Sequence, residues 1–89
     1  MQKLPPKPFE LSRNGIAEDD VQLVYDALTQ AEDDRIRFVN AYFFEAVPGF
    51  LFTNDRAEAD QELRIAATTK KPAVGFEDTG ETWEVRPVM

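Results

Sequence analysis

An α+β fold, with two or three N-terminal helices packed on a C-terminal β-hairpin or small antiparallel sheet, follows from three observations. Apolar residues recur at helical spacing from Val21 through Val24, Tyr25, Leu28 and Ala31. Two short runs, Ala73 to Glu77 and Thr82 to Val88, flank the turn Asp78-Thr79-Gly80-Glu81. The chain has 89 residues, enough for one hydrophobic core and too few for two.

The first fifteen residues carry Pro5, Pro6 and Pro8, then Asn14 and Gly15. Fixed proline torsions and missing N–H donors predict an extended arm over 1–15 that ends in a turn, with Phe9 and Leu11 as its anchors, ahead of one globular domain over 16–89. Pro5 to Pro8 also has PxxP spacing, a pattern short enough to arise by chance. A helix is expected from residue 18, because Glu18, Asp19 and Asp20 suit the positively polarised first turn. Thr29 and Glu32 stand at capping-box spacing, and Asp33 or Asp34 can serve as an N-cap, so the chain either breaks there and restarts or continues as one helix from 18 to 46.

Residues 35–46 are expected to be helical. Ile36, Val39, Phe43 and Ala46 would form one face, while Phe38, Tyr42 and Phe44 spread apolar surface almost around the axis. Pro48 and Gly49 stop that element, and Phe50 to Phe52 read as a short strand or buried connection. Residues 56–67 mix helix formers with a partial alternation at Leu63, Ile65 and Ala67; capping by Thr53, Asn54 or Asp55 favours the helix. In the hairpin, Gly80 is expected at positive φ, and Trp83, the largest apolar side chain of the β segment, in the core.

Composition narrows function. With no cysteine and no histidine, disulfides, thiolate nucleophiles and Cys/His zinc sites are excluded, and a reducing, cytoplasmic setting is expected. Ser12 is the single serine and has no histidine to activate it, so no catalytic residue, metal or cofactor is assigned and no enzyme is expected. The acidic groups around 32–34 and 55–62 lack the glycine and ligand alternation of a calcium loop and read as solvated helix ends. A net charge of −7 argues against direct nucleic-acid or anionic-membrane binding.

The distribution of charge says more than its total. Residues 18–34 hold seven carboxylates and no base, while the rest of the chain is balanced at ten acids against ten bases. On a helix, Asp19, Asp26 and Asp33 fall nearly in line, with Gln22 and Gln30 beside them and Leu23 on the same outward side, opposite Val21, Val24 and Leu28. The expected function is therefore a small acidic protein-binding module, of inhibitor, immunity, antagonist or adaptor type, that docks this helix on a basic partner protein, nucleic-acid charge mimicry being one form of it. The alternative is a structural subunit that forms a homodimer or hetero-oligomer through Phe38 and Phe44 of an aromatic helix.

Overall fold

The computed structural model describes residues 8–44 and 46–86. Helix α1 (Pro8–Arg13) leads through a 3-10 turn (Glu18–Asp20) into helix α2 (Val21–Asp33). Strands β1 (Phe38–Tyr42) and β2 (Gly49–Thr53) form a hairpin, helix α3 (Arg56–Thr68) follows, and strands β3 (Ala73–Asp78) and β4 (Trp83–Arg86) complete the chain. The four strands make one sheet in the order β2-β1-β3-β4, every neighbouring pair antiparallel. The α+β expectation and the C-terminal hairpin hold. Gly80 takes φ +99° in its turn, and Trp83 is buried.

Each helix ends by the same device. The second residue past the helix enters the left-handed region, at Gly15, Arg35 and Lys70. The next residue's N–H then bonds back five positions: Ile16 to Leu11 O, Ile36 to Ala31 O and Lys71 to Ala66 O, at 3.1, 2.8 and 2.9 Å. These are Schellman closures, and only the first uses glycine. Arg35 is the reason residues 18–46 are not one helix, and it aims the chain into β1.

Here the structure corrects the expectation for residues 35–46, which begin as a central strand and not a second helix. Phe38, Val39, Asn40 and Ala41 are all buried, because β1 is flanked by β2 and β3 and covered on both faces. A strand buried on both sides has no polar face, so its sequence reads as apolar in all directions. Asp34 correspondingly closes α2, accepting from Gln30 Nε2 at 2.8 Å, and caps no following helix. The extended-arm expectation is corrected over residues 8–13, which form α1 with Leu11 fully buried; the PxxP spacing begins outside the described residues.

Helices cover both faces of the sheet. On one, Leu11 and Ile16 with Val24, Leu28 and Ala31 of α2 pack against Val39, Ala41, Val74, Phe76 and Trp83. On the other, Ala59, Leu63 and Ala66 are the buried residues of α3. Asp55 caps α3 as expected, accepting from Ala57 N at 2.9 Å and Glu58 N at 3.3 Å. Asn40 ties the second interface together: its Nδ2 donates to Ala59 O at 2.9 Å and to the Tyr42 hydroxyl at 3.0 Å. Gly75 sets the closeness of approach, since a Cβ there would lie 2.5 Å from Leu63 Cδ1 and 3.2 Å from Asn40 Oδ1.

Two stability tests follow from these contacts. Arg35→Gly removes the steric cost of a side chain at positive φ and should stabilise the protein by about 0.5–1 kcal/mol, net of the extra freedom glycine gives the unfolded chain, as measured by urea unfolding. Gly75→Ala should destabilise by about 1–3 kcal/mol through overpacking against Leu63. In a double-mutant cycle with Leu63→Ala, the two changes should couple, whereas strict additivity would show that the close approach carries no energy.

Candidate protein-binding surface

Buried positions on α2 define its outward side. Val24, Ala27, Leu28 and Ala31 are its buried residues, so Gln22, Leu23, Asp26, Gln30 and Asp33 are left exposed to solvent, and Asp19 is exposed just upstream. Leu23 keeps 41% of its surface accessible amid these polar groups. Asp19 lies in the 3-10 turn and not on α2, so the in-line spacing of Asp19, Asp26 and Asp33 holds for the last two only. The structure brings Asp26 and Gln22 together: Gln22 Nε2 donates to Asp26 Oδ1 at 2.9 Å, one helical turn apart, and this fixes the carboxylate's direction.

Behind this face the helix is held rigidly. Trp83 Nε1 reaches across from β4 to donate to Glu32 Oε1 at 3.1 Å, which anchors the C-terminal half of α2 to the sheet. The acidic face therefore rides on a core-backed helix, which keeps the ordering cost of docking low.

Phe38 and Phe44 do not form a shared surface. Phe38 is 2% exposed, beneath α3, and is corrected from an oligomer contact to a core residue. Its ring is surrounded by the guanidinium groups of Arg37, Arg56 and Arg86, whose Cζ atoms lie 5.5, 5.1 and 5.2 Å from its centroid. Arg56 pairs with Glu77 at 2.7 Å, and Arg86 pairs with Asp60 and approaches Glu77 at 3.6 Å. Burial, and then the neighbouring Arg56, lower the Arg86 pKa from its usual value. Phe44, by contrast, is 45% exposed beyond the other end of β1, its ring tilted against that of Tyr42 at 5.4 Å with the Lys71 ammonium 4.9 Å from its ring. Burial raises the Tyr42 pKa, and Glu62 and Glu58 add to this while the Asn40 hydrogen bond opposes it.

Two of the acidic residues over 55–62 are committed to structure, Asp55 as the cap of α3 and Asp60 as partner of Arg86. Among the described residues no group of three or more carboxylates converges as a cation site, and no helix is long and apolar enough to cross a membrane. A depression of ≈ 270 Å³ lies along the outer side of α3, lined by Gln61, Arg64, Ile65, Thr68 and Thr69. All five residues come from one helix or its end, so among the described residues it has no opposing wall to hold a reactant.

The arginine cluster and the β2 edge were not foreseen from sequence. Arg37, Arg56 and Arg86 are far apart in the chain, and no local spacing links them. No family model, curated protein or solved structure matches this chain.

Because the outward residues of α2 make no core contact, Asp26→Ala and Leu23→Ala should each change folding stability by no more than about 0.5 kcal/mol. Asp26→Ala exchanges one surface amide–carboxylate bond for a better helix former. Denaturant melts of both variants check this, and a loss of 2 kcal/mol or so would place either residue in the fold instead of on a free surface.

Proposed function

We propose that this chain is a small acidic protein-binding module that docks the outward side of α2 on a basic surface of a partner protein. The observation that carries this reading is Leu23, an exposed leucine at 41% accessibility set among Gln22, Asp26, Gln30 and Asp33 on a rigid helix. Charge of one sign steers a basic partner to the face and raises the association rate. The leucine, once desolvated, supplies a short-range anchor that slows dissociation.

Inhibitor, immunity, antagonist and adaptor roles all use such a surface. Mimicry of nucleic-acid charge is the specific form in which Asp26 and Asp33 take the places of phosphates on a nucleic-acid-binding protein. A binding and not a catalytic role belongs to the same proposal, as does a reducing, cytoplasmic setting, which the absence of cysteine suits.

Capture of partners from the source cell at low and at high salt, followed by kinetics with the captured protein, tests the proposal. Asp26→Arg should slow association about tenfold at low salt, with a smaller effect at high salt where screening is strong. Leu23→Ala should leave association near wild type and speed dissociation, by about 1–2 kcal/mol of lost anchoring. Wild-type rates in both variants would end the acidic-helix reading.

A further inference from the structure

Independently of the acidic face, the sheet has two edges that are built differently. The β4 edge is four residues long and carries Glu84 and Arg86, features that discourage pairing with another strand. The β2 edge, Gly49-Phe50-Leu51-Phe52-Thr53, has no charged side chain and no proline within it. Gly49 and Phe52 are exposed, and no described strand pairs with its outer side.

The hydrogen-bond phase of that edge can be read from its neighbours. Asp78 N donates to Arg37 O at 2.8 Å and Phe43 N to Pro72 O at 3.0 Å, so the odd-numbered residues of β1 address β3. The even-numbered ones then address β2, where Phe38, Asn40 and Tyr42 stand opposite Thr53, Leu51 and Gly49. Those three β2 residues turn their backbone groups inward. The N–H and C=O groups of Phe50 and Phe52 point outward.

We propose that β2 pairs antiparallel with β2 of a second copy of this chain, about a two-fold axis at Leu51, to make one continuous eight-stranded sheet. This register places Phe50 of each copy opposite Phe52 of the other, which are the residues whose backbone groups face outward. The two pairs exchange four backbone hydrogen bonds. Phe50 and Phe52, with ring centroids 6.3 Å apart in one copy, meet their symmetry mates on the same side of the sheet and form a block of four rings. No other register of this strand against itself matches both residues.

Size and charge fix how such a dimer behaves. An aromatic side chain offers roughly 150–250 Å², and Phe52 has 36% of its surface accessible. The joint therefore falls short of the ~1,200 Å² of a permanent interface, and the dimer depends on concentration. Each copy carries −7, so added salt relieves repulsion between copies and strengthens the dimer. Docking of α2 on a basic partner has the opposite salt dependence, which separates this inference from the proposed function.

Sedimentation equilibrium of the full chain from ~10 to ~500 μM, at low and high salt, reads the association. The wild type should move toward dimer with concentration, more strongly at high salt, and Asp26→Arg should also dimerise. Phe52→Lys, which places a charge beside the two-fold axis, should stay monomeric with unchanged circular dichroism. The register has its own test, since the chain contains no native cysteine. Across a non-hydrogen-bonded pair on the axis, two Leu51→Cys thiols have Cα atoms ~4.5 Å apart, within disulfide range. Under oxidant Leu51→Cys should cross-link at least tenfold faster than Thr53→Cys, whose mates lie two positions off the axis in each copy. A wild type that stays monomeric at every concentration, including one that takes up an extended segment of a different protein at this edge, would overturn the proposal. So would a Phe52→Lys variant that dimerises like wild type, a dimer lost in Asp26→Arg, or equal cross-linking at positions 51 and 53.

Discussion

The rest of the molecule depends on the burial of β1 from both sides. Phe38 and Asn40 face α3, while Val39 and Ala41 face α2, and none of the four reaches solvent to any useful extent. A strand in that position needs two hydrogen-bonding neighbours and a cover on each face, which fixes β2 and β3 beside it and a helical layer above and below. Asn40 makes the α3 side specific as well as apolar. Its amide reaches the Ala59 carbonyl, so sliding α3 along the sheet would leave a buried donor unpaired.

The path of the chain follows from that arrangement. To place β1 at the centre, α2 must end and reverse within a few residues, and Arg35 at φ 58° does this at the cost of a side chain in the left-handed region. Asn54 secures the far end of the hairpin by accepting from Arg37 N at 2.8 Å and donating to Arg35 O at 3.3 Å. Three guanidinium groups then close over Phe38, balanced by Glu77 and Asp60. Three of the ten basic residues, Arg37, Arg56 and Arg86, are thereby engaged at one end of the sheet. Five of the seven carboxylates of residues 18–34, Glu18, Asp19, Asp26, Asp33 and Asp34, are exposed on the other layer, and the charge asymmetry of the sequence becomes an asymmetry of surface.

Two separate surfaces result. The outward side of α2 is polar and rigid with a single apolar anchor, suited to a charged partner met by diffusion. The β2 edge is uncharged and offers backbone groups in a self-complementary register, suited to a copy of itself. They lie on different elements, α2 and β2, and the two proposals call for opposite salt dependence; a dimer would present two acidic faces to a partner and gain in avidity without any new contact.

The sequence by itself determined the elements whose signals are local. The amphipathic face of α2 shows in Val24, Leu28 and Ala31, the cap of α3 in Asp55, the hairpin turn in Gly80, and the acidic segment in its run of carboxylates. Each depends on contacts within a turn or two of chain. Tertiary structure alone decided that 38–42 is a strand, since a segment buried on every side has no periodicity to separate strand from helix. It also decided that Phe38 is core and that the arginines converge on it. The exposure of the β2 edge was settled in the same way, because which strand stands at the rim depends on the order in which all four pair, and that order is written in no short stretch of sequence.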